Sequence, residues 1–358
     1  LQKRESPWKK IKDKTLTDIF EYSLEQWKEF FTGIGEKPFR AKQVVEWIYK
    51  KKVSDAGQMK NLPGKIQTLL KENFNFQILT LQTTVESQKD PGTKKMLFAT
   101  ADGFSVESVL IPNARESNTL CISTQIGCPL ACDFCATGKM GFKRNLTVSE
   151  ILYQVYFVLQ DYPVSNMVYM GMGEPLLNPN LKESIHRLTA PDYFDFASRS
   201  ITVSTVGIPE GIRVMADIKQ IKLAWSYHSS LEENRKKLFP KLSEMHSLDE
   251  ILHAFSDYQE KTKKRITLEY LLIKNFNDNE REAEALKQVS RRLMVHLNII
   301  PYNPHPLSSY EAPGQKDIQD FFTLLKGIQG EVTLRRSKGR DIQGACGQLA
   351  GSLGDTFL

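Results

Sequence analysis

Cysteine and histidine are both scarce in this chain, with five of the former and six of the latter among 358 residues. So sparse and odd a set of cysteines argues against a disulfide framework and for a reducing compartment in which thiols serve metals or chemistry. Long apolar runs are missing as well. No stretch approaches the roughly 18 apolar residues of a membrane span, and the opening Leu1-Gln-Lys-Arg-Glu5 has no apolar signal core. From these absences we expect a cytoplasmic protein that does not enter a membrane. Internal repeats and low-complexity tracts are lacking too, which leaves an ordinary globular architecture.

What is present fits that class: 41% hydrophobic and 25% charged residues, enough chain for two domains or for one large domain with an extension. The charge is unevenly placed. Residues 1–100 hold 19 Lys and Arg against 12 Asp and Glu, more than the surplus of +6 for the whole chain. A polyanion is one partner for such a segment, since phosphate neutralisation needs no sequence match; a solvated lysine-rich surface explains the count equally well.

Periodicity divides the chain further. Residues 14–73 read as helical: Leu16, Ile19, Phe20 and Leu24 start one amphipathic run, and Ala41, Val44, Val45, Ile48 and Tyr49 share one face of another. Gly33-Ile-Gly35 between them offers amides to a phosphate, or is a helix–helix turn. Asp102-Gly103, flanked by apolar runs at 95–100 and 104–111, predicts a β-hairpin. Beyond it, strand patterns at 119–124, 167–170, 200–205, 221–227, 266–273 and 296–300 alternate with helical ones. Thr147-x-x-Glu150 and Ser247-x-x-Glu250 are capping boxes that start helices over 148–159 and 248–260. Six β/α units predict an α/β fold whose parallel sheet curls into a full or partial barrel, with chemistry at the C-terminal strand ends. A last unit, Val332–Arg335, leads into the C-terminal segment.

Three of the five cysteines, Cys128, Cys132 and Cys135, fall within eight residues, in a loop directly after the first strand of that series. Such a loop can wrap three thiolates round a cubane iron–sulfur cluster and leave one iron open to a small molecule. Zinc prefers four protein ligands, and the nearest histidine in sequence is His186, so the spacing favours the cluster. After the second strand comes Tyr169-Met-Gly-Met-Gly173-Glu174-Pro175, where glycines let a ligand approach the backbone and Glu174 can receive an amino group. Cys121 and Cys346 are left over. Taken alone, a free cysteine is most often a small buried apolar residue, and Glu107 reads as a solvent-facing strand carboxylate.

Together these motifs resemble the radical S-adenosylmethionine (SAM) superfamily. Five further segments narrow the resemblance to the RlmN/Cfr family of RNA adenine methyltransferases: Val106–Pro112, Thr119–Cys128, Val203–Gly207, Ile300–Pro304 and Asp341–Ala350. Met172-Gly-Glu-Pro-Leu-Leu-Asn178 is more similar to the RlmN branch, which methylates C2 of adenine, than to the Cfr branch, which methylates C8. The resemblance runs from about residue 15 to 351. It implies an N-terminal helical RNA-binding domain over 1–93, a hairpin extension over 94–117, a radical SAM partial (β/α)6 barrel over 118–330 and a C-terminal extension over 331–358.

The resemblance also implies roles. Cys128, Cys132 and Cys135 hold a 4Fe-4S cluster whose open iron chelates SAM, and Gly173, Glu174, Ser204, Ser226, Tyr227, His228 and Asn303 line the SAM site. Tyr227 is the weakest match, since relatives more often carry Leu there. Two SAM molecules are used per turnover: one methylates Cys346, and the other is reductively cleaved to a 5′-deoxyadenosyl radical that takes hydrogen from the S-methyl group. The resulting carbon radical adds to adenine C2, Glu107 removes the C2 proton, and Cys121 attacks the Cys346 sulfur to release the methylated RNA. The chemistry is coherent, because C2 is a poor nucleophile and a covalent protein–RNA intermediate needs a leaving and a resolving thiol. Gly344, Gly347, Gly351 and Gly354 give the Cys346 segment the freedom to swing.

The implied substrate is an adenine of 23S rRNA, with tRNA near the anticodon as a second, extruded into the barrel mouth. A reductant such as flavodoxin or ferredoxin and a monomeric state go with it. A C8-methylating enzyme of the Cfr type and a non-catalytic, metal-stabilised RNA-binding protein are the alternatives. Arg335, Arg336, Lys338 and Arg340 are candidate RNA contacts, as is His305 in its proline-rich loop; His186, His246, His253 and His296 read as surface or satisfied core residues.

Overall fold

The computed structural model describes residues 16–113, 116–218 and 220–351. Gly354 and six of the N-terminal basic residues lie outside them. Ten strands form one sheet and lie side by side in chain order: β1 (Thr80–Glu86), β2 (Lys94–Ala99), β3 (Ser105–Pro112), β4 (Asn118–Ile122), β5 (Val164–Tyr169), β6 (Ile201–Thr205), β7 (Lys222–Ser226), β8 (Ile266–Leu272), β9 (Val295–Pro301) and β10 (Glu331–Leu334). β4 to β10 run parallel, while β1 to β4 pair antiparallel. Side chains from the C-terminal ends of β5 to β9 line one cavity. A flat sheet could not bring them together, so the parallel part is curled, and β1 and β10 are left as its two edges.

The alternation of strands and helices in the sequence survives in this architecture, with two additions. Glu331–Leu334, read with the C-terminal extension, pairs with β9 as a seventh parallel strand. Thr80–Glu86, read with the N-terminal helical part, pairs with β2, so the antiparallel extension has three strands rather than a hairpin alone. Its β-branched Thr80, Thr83, Thr84 and Val85 suit an edge strand. Gly103, at φ +84°, makes the β2–β3 turn. Both capping boxes form, starting helices Val148–Val158 and Leu248–Thr262.

Among the described residues three α-helices precede the sheet: Leu24–Gly33, Arg40–Tyr49 and Gly64–Asn73. The first does not begin at Leu16 as its periodicity predicts. Ser23 and Gln26 form a capping box that starts it at Leu24, and Thr17–Asp18 instead pairs in parallel with Phe74–Asn75. Gly33-Ile-Gly35 is a helix end rather than a phosphate cradle, because the Ile34 and Gly35 amides donate to the Phe30 and Thr32 carbonyls. Trp27, Phe30, Phe31 and Phe74 pack edge to face and stacked to form the core of this unit. Buried Arg187, on helix Leu181–Thr189, donates to the Phe20 and Tyr22 carbonyls and fixes the unit to the sheet's outer layer. Among the described residues no helix is long and apolar enough to cross a membrane.

Candidate active site

Beyond β4 the chain leaves the sheet. Gln125–Ile126 pairs antiparallel with Arg144–Asn145 and closes a loop that carries the three clustered cysteines. Gly127 turns into this loop at φ +68°, and a Cβ there would stand 1.7 Å from the Gly141 carbonyl oxygen. The Cys135 amide donates to the Cys132 carbonyl at 3.2 Å, so the thiols are held by backbone as well as by sequence. Burial pushes the Cys128 thiol up to about 12 and raises Cys132 and Cys135, with the neighbouring thiols adding to the effect at Cys132. Thiols this hard to ionise alone become thiolates when iron replaces their protons. Among the described residues no three His, Cys, Asp or Glu converge as ligands of a single ion. Cys128, Cys132 and Cys135 all line one cavity, and a cubane takes one thiolate per iron, so three thiols on a shared wall suit its chemistry.

The loop forms one wall of a cavity that also meets the C-terminal ends of β5 to β9. Gly173, Glu174, Ser204, Ser226 and His228 line it. Glu174 is buried, and burial pushes its carboxyl up to about 7. Its oxygens accept from the Leu176 and Val206 amides at 3.1 and 3.0 Å. No cation among the described residues pairs with it, so a buried carboxylate faces the cavity ready for an ammonium group. Ser204 and Ser226 stand side by side on β6 and β7, their hydroxyls 3.3 Å apart. His228, at φ +57°, is held neutral by burial, which drops it to about 3, and its ring sits against Phe134.

Two residues expected in this lining take other places. Tyr227 turns its ring away from the cavity into the core beside Trp225, because alternation along the chain sends its neighbours Ser226 and His228 inward. Asn303 does not line the cavity either. Its Nδ2 donates to the Ser337 hydroxyl at 3.0 Å and to the Cys346 carbonyl at 3.2 Å, so it holds the Cys346 segment in place.

A second cavity lies on the other side of that segment. Cys346, Arg335, Met170 and Leu349 border both cavities, which makes Cys346 part of the partition between them. Cys121, at the end of β4, faces the second cavity; burial pushes its thiol up to about 12, with Cys346 the next cause. Arg335 is partly buried, unlike its exposed neighbour Arg336. It lies at the partition, 3.8 Å from Glu269 and 3.8 Å from the Met170 sulfur. Arg336, Lys338 and Arg340 are exposed, and the first two line the second cavity. His305 is buried beneath the cysteine loop, with Nε2 3.0 Å from the Phe134 carbonyl, and so cannot face RNA.

Residues 344–351 strap across the site. Their fastenings are the Ala136 amide on the Gly347 carbonyl (2.7 Å), the Thr137 hydroxyl on the Leu349 carbonyl (2.6 Å) and the Gln348 side chain on the Pro304 carbonyl (2.9 Å). Glu107 lies under the end of this strap, fully buried rather than solvent-facing. Lys95 pairs with its Oε1 at 3.0 Å, while the Ala350 and Gly351 amides both donate to Oε2 at 2.9 Å. Sequence reasoning gave no role to Lys95 or Thr137. For Lys95 a signal exists, since it directly precedes the apolar run Met96-Leu-Phe98 in a strand buried on both faces.

Comparison with known proteins agrees with this geometry. Residues 17–76 match the family described as the ribosomal RNA large subunit methyltransferase N-terminal domain, and residues 122–286 match the radical SAM superfamily. The chain is 39% identical over 341 residues to the dual-specificity RNA methyltransferase RlmN of Syntrophotalea carbinolica, covering 95% of this chain and 91% of that protein. It is 41% identical over 340 residues to the probable RlmN of Aquifex aeolicus, covering 92% and 96%. The crystal structure of a radical SAM methyltransferase from Sphaerobacter thermophilus superposes with a TM-score of 0.89 at 34% identity, covering 94% of this chain and all of that one. With a cysteine loop suited to a cluster, a neighbouring site suited to SAM and relatives matched along nearly its whole length, this chain belongs to the RlmN family of radical SAM RNA methyltransferases.

Proposed function

We propose that this enzyme methylates C2 of an adenine in RNA, using a methyl group carried on Cys346. The observation that supports this reading is the place of Cys346 in the partition, with the three clustered thiols on one side and Cys121 on the other. One mobile carrier can serve both chambers from there. The large-subunit description of its N-terminal family favours 23S rRNA as substrate, and the dual specificity of its relatives favours tRNA as a second.

Cys128, Cys132 and Cys135 would hold a 4Fe-4S cluster, with SAM beside it against Gly173, Glu174, Ser204, Ser226 and His228. When bound, the cluster supplies one electron to SAM, and SAM supplies the methyl group and the hydrogen-atom abstraction that activates it. The chain's own groups do the rest. Glu174 receives the amino group of SAM, and the adenine enters the second cavity, extruded from its stack. Once Cys346 is joined to C2 through its methylene carbon, the radical adduct gives up one electron, which the cluster would take back, and Glu107 accepts the C2 proton. Cys121 then attacks the Cys346 sulfur. An S–S bond forms, the S–C bond breaks with its electron pair going to carbon, and a proton completes the methyl group. A small thiol reduces the disulfide before the next turnover, and a flavodoxin- or ferredoxin-type donor reduces the cluster. Arg336 and Lys338 on the rim meet phosphates, and the basic N-terminal unit reads RNA by shape and charge. A monomer working in the cytoplasm suffices for all of this.

Mass spectrometry of nucleosides tests the reading. Anaerobically reconstituted protein with SAM, a reductant and either 23S rRNA or tRNA should yield 2-methyladenosine. Formation of 8-methyladenosine would move the enzyme to the other branch of the family. Protein that binds stoichiometric zinc in place of iron and sulfide, and modifies neither RNA, would establish the non-catalytic alternative.

A further inference from the structure

Of the three candidate catalytic groups, Glu107 alone lines neither cavity. It is fully buried, and a buried carboxylate persists as an anion only when donors and charge surround it. Its partners are of two kinds: a cation ion-paired with Oε1, which accepts no hydrogen bond from the described residues, and two amides that donate to Oε2. Lys95 Nζ, 3.0 Å from Oε1 and only 4% exposed, comes from β2, the strand next to that of Glu107. Leu97 is the direct partner of Glu107 across this antiparallel pair, so Lys95 reaches it diagonally from within a rigid ladder. The Ala350 and Gly351 amides, each 2.9 Å from Oε2, come instead from the strap that carries Cys346. Gly351 sits at φ +63° at the end of that strap, held otherwise by side-chain and loop hydrogen bonds rather than by a sheet.

This division gives the two oxygens different fates. If residues 350–351 lift, Oε2 loses both of its donors and gains a free lone pair, whereas Oε1 keeps its cation. Without Lys95 the same movement would leave the buried carboxylate with no partner on either oxygen and free to turn from the substrate base, which ends its use as a base.

We propose that Lys95 is a positioning residue for Glu107, holding Oε1 so that Oε2 is presented to the substrate base only when the Ala350–Gly351 end of the Cys346 strap lifts. The proposal rests on Glu107 as acceptor of the C2 proton. It adds that the base is capped while the strap is closed, so Cys346 can be methylated in the first cavity without an exposed base beside it.

The test compares Lys95→Met with Glu107→Gln in full-length reconstituted enzyme. Four quantities are read: iron and sulfide content, Cys346 methylation by intact mass, methylated nucleoside, and covalent protein–RNA adduct on a denaturing gel. Both variants should keep their cluster and methylate Cys346 as wild type does. Both should then lose product roughly a hundredfold, the scale of a lost general base, while the adduct accumulates. A merely structural role for Lys95 would instead lower cluster content and Cys346 methylation in parallel with product, and that result overturns the proposal. Wild-type product from Lys95→Met beside a crippled Glu107→Gln also overturns it, but leaves Glu107 as the base. Wild-type product from both variants removes Glu107 from the mechanism. Should Lys95→Met fail to fold, Lys95→Arg, which keeps the cation but displaces it, is read by the same four quantities.

Discussion

The Thr137 hydroxyl donates to the Leu349 carbonyl at 2.6 Å and so ties the cysteine loop to the strap that carries Cys346. The two are 212 residues apart in sequence, yet a change in one is felt by the other. Thr137→Val keeps the shape and removes the donor, at a cost of about 1 kcal/mol in strap docking. Amides of residues 344–351 should then exchange hydrogen faster by mass spectrometry, and RNA methylation should fall. Unchanged exchange would show that the other fastenings hold the strap alone.

Cys346→Ala should leave the cluster intact and abolish RNA methylation. Cys346 borders the first cavity but belongs to a different segment from the clustered thiols. Iron and sulfide near about four per chain, with SAM cleavage but no methylated nucleoside, is the expected pattern. Retained turnover would remove Cys346 from the chemistry.

Cys121→Ala should trap the protein on its RNA. Cys121 shares the second cavity with Cys346, so no other described thiol stands on that side to resolve the adduct. A band of protein-plus-RNA mass that resists denaturation is expected. Normal product release would show that Cys121 is not the resolving thiol.

Gly127→Ala should lower cluster loading more than it lowers global stability. The added methyl would meet the Gly141 carbonyl oxygen, and the φ of +68° is itself unfavourable for alanine. The loop must open to relieve both, spreading the thiols. Iron content and circular dichroism, measured on the same sample, separate the two effects.

Asp102→Asn should weaken the protein at neutral pH but not in acid. Arg144 reaches Asp102 through Nε and Nη2 at 2.7 Å and Glu150 through Nη1 and Nη2 at 2.8 Å, joining the β2–β3 turn to helix Val148–Val158. The Arg144 guanidinium holds the Asp102 carboxyl far below the usual carboxylate range. Its contribution is therefore fully present above the unfolded value of about 3.9 and is lost as pH falls through the depressed native value. Asp102 is half-exposed, so solvent screening limits the effect to roughly 1 kcal/mol, or about 2 °C in Tm. The gap in Tm between variant and wild type should close on acidification from pH 7; a constant gap would contradict the assignment.

Much of the fold was legible because it is set by contacts within a few residues. Thr147 and Ser247 announce their helices through bonds three positions away. Asp102-Gly103 announces its turn through the one positive φ that the turn needs. The strand at Thr80–Glu86 was not legible, because its exposed, polar-rich pattern becomes a strand only when β2 supplies a partner edge.

For the site the same division holds. The sequence by itself determined three thiols in one loop, a glycine–glutamate strand end two elements away, and two further cysteines in need of a role, since all of these are matters of spacing along the chain. Tertiary structure alone decided that Cys346 stands in a partition with Cys121 beyond it, that Arg335 points inward while Arg336 stays outside, and that Glu107 is buried beneath a strap. The reason is physical. Whether a carboxylate at a strand centre meets water or a buried cation depends on what covers the strand. What covers Glu107 arrives 243 residues later, as the amide of Ala350.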